Sequence, residues 1–209
     1  MEQAYLVGIT GGSASGKTSF LNSLRAHFNE QELCVVSQDN YYKSIEHQVK
    51  DENGVVNYDL PSCIDFDHFT SDIERLQAGQ SIHKLEYVFN NPDKKPELIE
   101  VKPAPIIVVE GLFIFYHKAI CDQLALKIYV DAQEEIKWER RLQRDLTERG
   151  IAREIIEYQW SQHVKPAYDQ FLLPYRDQAD IVVMNNTHFQ NSLKVVTDHL
   201  ALYLINSKK

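Results

Sequence analysis

Positive charge is in the minority: 22 Lys and Arg stand against 30 Asp and Glu, a formal net charge of −8 over 209 residues. Nucleic acid demands a basic face to neutralise its phosphates, so this balance argues against it as the main partner. Any anionic ligand must be met by a local cluster of cations. No apolar stretch approaches the about 20 residues that span a bilayer, so no membrane partner is expected. Cysteine is scarce. Cys34, Cys63 and Cys121 are odd in number, far apart and without metal-ligand spacing, which argues against a zinc site and fits reduced structural thiols. Residues 1–3 leave no room for a signal peptide before the first apolar run, and the expectation is a soluble, cytoplasmic protein.

What is present looks globular. Apolar residues make up 44% and charged residues 25%, and the length suits one domain with a real core. Apolar runs at Tyr5–Ile9, Leu33–Val36, Ile106–Val109, Leu126–Val130 and Ile181–Met184 predict strands. Amphipathic stretches near Lys17–His27, Phe69–Gln77, Phe113–Asp122, Glu134–Glu148, Arg153–Leu172 and Gln190–Ile205 predict helices. Continuous rather than alternating apolar strands imply a sheet covered on both faces, hence an α/β fold with a mostly parallel sheet flanked by helices. Ile82–Phe89 and Leu98–Val101 flank Asn90-Asn91-Pro92-Asp93 and predict a projecting β-hairpin.

Between the first strand and first helix lies Gly11-Gly12-Ser13-Ala14-Ser15-Gly16-Lys17-Thr18, a full G-x-x-x-x-G-K-[ST] pattern in the strand–loop–helix context it requires. Glycine lets the loop curl so that successive N–H groups face an anion, and the helix N-terminus adds partial positive charge. Lys17 can span the β- and γ-phosphates of a nucleotide, and the Thr18 hydroxyl can ligate Mg²⁺. Two further strands end in acids, at Asp39 and Glu110. Ligands of open parallel sheets collect at these strand ends. Glu110 therefore reads as a Mg²⁺ ligand, and Asp39 as a group that helps hold the metal and accepts the proton of an attacking hydroxyl.

No N-K-x-D guanine element occurs, and 209 residues do not fit a multidomain ATPase, which leaves a small kinase that encloses an acceptor alcohol. Such an enzyme needs cations over the γ-phosphate and a lid against water. In the segment Trp138–Gly150, Trp138, Leu142 and Leu146 predict a buried apolar stripe, while Arg141 and Arg144 share another face and can present two guanidinium groups together. The segment is also rich in acids, so a solvated, ion-paired face is the alternative.

The segments "GGSASGKT", "SQDNYYK", "NYDLPSCIDFD", "VVEGLFIFY", "RRLQRDLTERG" and "HVKPAYDQFLLP" occur in this order. From Gly8 to about Val183 the chain resembles the uridine/cytidine kinase family, related to phosphoribulokinase and bacterial pantothenate kinase among P-loop kinases. The resemblance implies one P-loop kinase domain over 1–209, with a hairpin insertion at about 80–102 and a helical lid at about 138–160. It implies ATP, with GTP as the alternative, and Mg²⁺ organised by Thr18, Asp39 and Glu110. Asp39 would be the base at the acceptor 5′-hydroxyl. Asp59 would bind the ribose hydroxyls together with Arg141, and Lys17, Arg144 and Arg149 would neutralise phosphate charge as the lid closes. Tyr87 and Phe89 match aromatic positions that hold the pyrimidine, and Gln159 matches a base-contacting glutamine. The family also implies a homo-oligomer, a tetramer.

The pattern departs from the family in the hairpin and after "ERG". The family's hairpin reads like Y-D-F-x-x-H-x-R, and here Pro92 stands at the base-reading histidine and Lys94 at the arginine. Ile151 stands where a further lid arginine is expected, with Arg153 two residues on. The leading expectation is phosphorylation of the 5′-hydroxyl of uridine or cytidine, giving UMP or CMP. A kinase for another small alcohol, such as a sugar phosphate or vitamin precursor, and a non-catalytic nucleotide-binding module stay open.

Overall fold

The computed structural model describes residues 4–88 and 95–207. In chain order the strands are β1 (Tyr5–Thr10), β2 (Leu33–Ser37), β3 (Ile82–Leu85), β4 (Leu98–Val101), β5 (Ile106–Glu110), β6 (Leu126–Asp131) and β7 (Ile181–Met184). The helices are α1 (Lys17–Arg25), α2 (Phe66–Gln77), α3 (Lys118–Cys121), α4 (Glu134–Thr147), α5 (Arg153–Gln159), α6 (Lys165–Ala167) and α7 (Gln190–Asn206). Five strands form one sheet in the order β2-β5-β1-β6-β7, parallel at every pairing, and β3 and β4 form an antiparallel pair.

Successive residues of a strand point to opposite faces, and here both faces are dry. Leu6, Ile107, Val109 and Tyr129 pack with Phe69, Ile73 and Leu76 of α2 and Ile120 of α3. Val7, Ile9, Val108 and Ile128 pack on the other side with Phe20 and Leu24 of α1 and Val196 and Leu200 of α7. Each such side chain contributes about 1.5–3 kcal/mol by leaving water. This two-sided burial is the physical content of the continuous apolar runs. Cys34, Cys63 and Cys121 are buried and unbridged.

Three expectations need correction. The helix expected over Phe113–Asp122 exists only as α3, because Phe113, Ile114 and Phe115 are all buried and three consecutive residues cannot share one helix face. The first hairpin strand ends at Leu85 rather than Phe89: the Tyr87 N–H leaves the ladder and donates to Asn40 Oδ1 at 2.8 Å. The helix expected over Arg153–Leu172 is broken into α5 and α6 by π-helical turns at Trp160–Val164 and Tyr168–Leu172. Pro166 has no N–H to continue the ladder and its ring crowds the preceding turn. Among the described residues, no helix is long and apolar enough to cross a membrane.

Candidate active site

The parallel strands aim their carboxyl ends at one edge of the sheet, and the chemistry-bearing residues gather there. Gly11 (φ 149°) and Gly16 (φ 98°) let the loop after β1 curl. A Cβ on Gly11 would run into the Val130 carbonyl oxygen, and one on Gly16 into Asn185 Nδ2. Ala14, at φ 59°, holds a left-handed conformation without being glycine, which stores strain at the loop. Asn185, just beyond β7, donates from Nδ2 to the Ser15 carbonyl at 2.9 Å and pins the loop from behind. The Ser15 hydroxyl is buried with no partner. Lys17 donates to the carbonyls of Gly11 and Gly12 at 2.8 and 3.1 Å. Burial pulls its ammonium below the usual lysine range, with Arg144 adding to the effect and Glu110, Asp39 and Asp59 opposing it.

The two acids enter from neighbouring strands. Strand register sets Glu110 beside Ile9 and Ser37, and Ser37 Oγ donates to Glu110 Oε1 at 2.7 Å. Asp39 lies in the 3₁₀ turn Gln38–Tyr41, which is capped by Ser37. Glu110 is the more enclosed of the pair, whereas Asp39 opens onto the cleft and is hemmed in by its walls. Loss of hydration pushes both carboxyls above the ordinary range. Asp39 pushes Glu110 further, while Lys17 opposes the shift at both. Arg149 and Arg144 also oppose it at Asp39.

A folded-state pKa raised in this way means that the folded chain holds its proton more tightly than the unfolded chain does. The ionised group then costs stability, and that cost appears as pH rises through the unfolded pKa. Glu110→Gln, whose carboxamide oxygen can still accept from Ser37, is therefore expected to raise the melting temperature at neutral pH without Mg²⁺, by about 2–4 °C. Thermal denaturation checks this; an unchanged or lower midpoint contradicts the assigned burden.

Helix α4 reverses one expectation. Trp138 and Leu142 are only half-buried and Leu146 is exposed; the buried stripe of α4 is Lys137, Arg141 and Asp145. The expected face of arginines exists and is ion-paired, with Arg141 buried and Arg144 half-buried. Arg141 Nη1 donates to Ser13 Oγ at 2.9 Å and Nη2 to Gln159 Oε1 at 3.4 Å. Arg141 thus lies against the loop, and its field, the strongest counterweight to burial at Asp59, still reaches that acid. The Gln159 carboxamide oxygen faces Arg141. Arg153 is exposed and ion-paired to Glu157 at 2.7 Å, so it does not stand in at the position of Ile151.

A cavity of about 1210 Å³ joins these groups: Lys17, Thr18, Asp39, Asp59, Tyr87, Glu110, Arg141, Arg144, Arg149 and Gln159 all line it. Phe89, Pro92 and Lys94 lie outside the described residues. The same wall holds residues that the sequence did not single out. Tyr42 packs against Tyr87 (centroids 5.0 Å) and Tyr58 (5.9 Å). His163 is fully enclosed, bonds Asp51 Oδ2 through Nε2 at 2.7 Å and lines the cavity beside Gln159. Asp51 also accepts from Tyr158 at 2.6 Å, so the loop leading to Asp59 is tied to α5. The Tyr158 hydrogen bond is the main reason that the Asp51 carboxyl is held well below the ordinary range.

A phosphate loop between β1 and α1, two acids at neighbouring strand ends and a set of arginines facing them define a P-loop phosphotransferase. The chain matches the model of the Phosphoribulokinase / Uridine kinase family over residues 6–190 and belongs to that family. It is 34% identical to the uridine kinase of Borrelia duttonii (strain Ly) over 207 residues, 98% of each chain. Among solved structures it resembles a Bacillus stearothermophilus protein described as a possible uridine kinase, with TM-score 0.60, 17% identity and coverage of 87% and 89% of the two chains. It also resembles the D-glycerate 3-kinase of Cryptococcus neoformans, with TM-score 0.58, 16% identity and coverage of 82% and 80%. The last two likenesses concern the fold alone.

Proposed function

We propose that this chain transfers the γ-phosphate of ATP to the 5′-hydroxyl of a pyrimidine nucleoside, uridine or cytidine, and does so as a single kinase domain with a hairpin and a helical lid. The observation that carries the reading is the shared cavity, in which a phosphate loop, a pair of strand-end acids, three arginines and a tyrosine-lined wall converge. The nucleoside kinases among its relatives point the same way.

The donor set suits Mg²⁺. Thr18, Asp39 and Glu110 offer hard oxygens, and the Asp39 charge adds to the burden of burial on Glu110. Mg²⁺ is commonly held by one or two carboxylates, with phosphates and water completing the shell. When bound, it neutralises charge on the phosphates and helps orient them. The loop amides and Lys17 bind the phosphate chain. Asp59 orients the acceptor, with the Tyr42, Tyr58 and Tyr87 rings beside it offering flat apolar surface to a base. Asp39 takes the proton of the hydroxyl as it attacks, and Arg144 and Arg149 face the negative charge that moves to the leaving oxygen. Positioning and charge neutralisation supply most of the acceleration.

A second reading is a kinase for another small alcohol, such as a sugar phosphate or vitamin precursor, suggested by Pro92, which offers no side-chain hydrogen bond, and by Ile151 in place of an arginine. One screen separates them. Acceptor-dependent ADP release is expected with uridine or cytidine and not with sugar phosphates or vitamin precursors. Silence with every pyrimidine nucleoside overturns the proposal, and tight ATP binding without turnover of any alcohol favours a nucleotide-binding module.

A further inference from the structure

Three guanidinium groups in one knot repel one another, and something must hold them together. Arg141, Arg144 and Arg149 all line the cavity. Arg144 and Arg141 both depress the Arg149 pKa, after burial, which shows how closely the cations crowd. At the centre of the knot lies Asp145, with no exposed surface. Its Oδ1 stands 2.8 Å from Arg144 Nε and 3.0 Å from Arg149 Nη1, and its Oδ2 stands 3.3 Å from Arg141 Nε. One carboxylate thus meets an arginine one residue before it, one four before and one four after.

We infer that Asp145 is the positioning residue of the phosphoryl-transfer site: it gathers the three arginines and fixes their orientation so that they meet a terminal phosphate as one preformed cradle. The inference rests on the kinase reading for what the cradle receives, and on the ion pairs alone for the cradle itself. Asp145 does not touch the reacting atoms. It accepts from Arg144 Nε and ion-pairs with Arg149 Nη1 and Arg141 Nε, and each planar fork carries five N–H donors, more than one carboxylate takes up. Arg141 shows this in its bond to Ser13 Oγ, made from a nitrogen that Asp145 does not use. A buried carboxylate is a costly way to stabilise a lid helix, since apolar packing of the same volume does so at least as well. Its return is geometric: preorganised cations need not rearrange as charge moves in the transition state. The inward stripe of α4 is charged at Arg141 and Asp145 for this reason, whereas its Lys137 pairs with Asp131.

The test uses the full chain and the nearly isosteric variant Asp145→Asn, with Asp145→Glu as the charge-keeping control and circular dichroism to confirm folding of both. In wild type, the Nε–H group of Arg144, which donates to Asp145 Oδ1, is expected to give a slowly exchanging arginine NMR signal that shifts when ATP, but not AMP, is added. Asp145→Asn is expected to lose that protection and to lower kcat at least about 100-fold, with ATP dissociation constants within about threefold of wild type because the loop amides hold the rest of the nucleotide. Asp145→Glu is expected to recover part of the lost kcat. The inference is overturned if the arginine signal survives in Asp145→Asn, or if kcat stays within about threefold. It is also overturned if ATP affinity falls as far as kcat, because Asp145 is then only a folding residue. Should Asp145→Asn fail to fold, Asp145→Glu decides alone: a shifted arginine signal with a kcat loss larger than the ATP affinity loss supports the inference, and a wild-type signal and kcat overturn it. If the wild type turns over no alcohol, the kinase reading fails by itself, and the ATP-dependent shift of the arginine signal still decides whether the cradle exists.

Discussion

Asp39→Asn is expected to lower kcat about 1000-fold, in the middle of the range for removing a positioned general base, and to leave ATP affinity within about threefold. That corresponds to about 4 kcal/mol of transition-state stabilisation. ATP affinity should survive because Lys17 and the curled loop, not Asp39, meet most of the phosphate chain. The pH dependence gives the prediction a second edge. Enclosure raises the Asp39 carboxyl above the ordinary range, so the fraction of protein with an ionised base grows as pH rises through that raised value. Wild-type kcat should therefore climb on an acid limb set by this carboxyl, displaced upward in the metal-free protein and drawn back down by bound Mg²⁺. Asp39 and Glu110 influence each other, so this limb belongs to the pair rather than to either residue. Lys17 has the opposite sign: its lowered pKa means that its charge fades earlier on the alkaline side. Asp39→Asn should lose most of the acid limb and keep the alkaline one. Steady-state rates at saturating substrates across pH check both limbs, and a variant with wild-type kcat removes Asp39 from the reaction.

What the sequence could show divides along physical lines. A strand buried on both faces must be apolar throughout, so β1, β5 and β6 were readable from their runs alone. The phosphate loop was readable because its glycines answer to backbone geometry that no other residue adopts easily. The segment of α4 was readable as a helix but not as to which side faces inward. Helical spacing finds a face, and the usual guess that the apolar face packs inward fails here: Trp138 settles against Trp160, with ring centroids 5.4 Å apart, while Asp145 makes burial of arginines tolerable. Asp145 was visible within "RRLQRDLTERG", but nothing in one chain says that a carboxylate among arginines lies inside rather than in water. Other partners are legible only in three dimensions. Asn185 meets Ser15 across 170 positions and His163 meets Asp51 across 112, with no local pattern to announce either. The roles drawn from family resemblance, those of Asp59, Tyr87 and Gln159, concern a ligand, and spacing carries no ligand.

Gly16→Ala is the substitution expected to harm nucleotide binding most, weakening ATP affinity about 100-fold or more, and it does so by two separable routes. The first is local. Gly16 caps α1 with φ 98° and ψ 20°, a conformation that costs an L-residue on the order of 1–2 kcal/mol. The second is a collision: the new Cβ meets Asn185 Nδ2, the donor to the Ser15 carbonyl, so either the loop shifts or that 2.9 Å bond breaks. Either response moves the Ser15, Gly16 and Lys17 amides, and anion binding by backbone N–H groups tolerates little displacement. A double-mutant cycle separates the routes. Asn185→Ala alone should weaken ATP binding by about 1 kcal/mol, the net worth of one hydrogen bond, or about fivefold. Adding it to Gly16→Ala removes the obstructing carboxamide, so the double variant should bind ATP no worse than Gly16→Ala and recover part of its loss. Purely additive losses, measured by titration calorimetry with ATP, would show that the collision is relieved elsewhere and that only the left-handed backbone ties this glycine to its place.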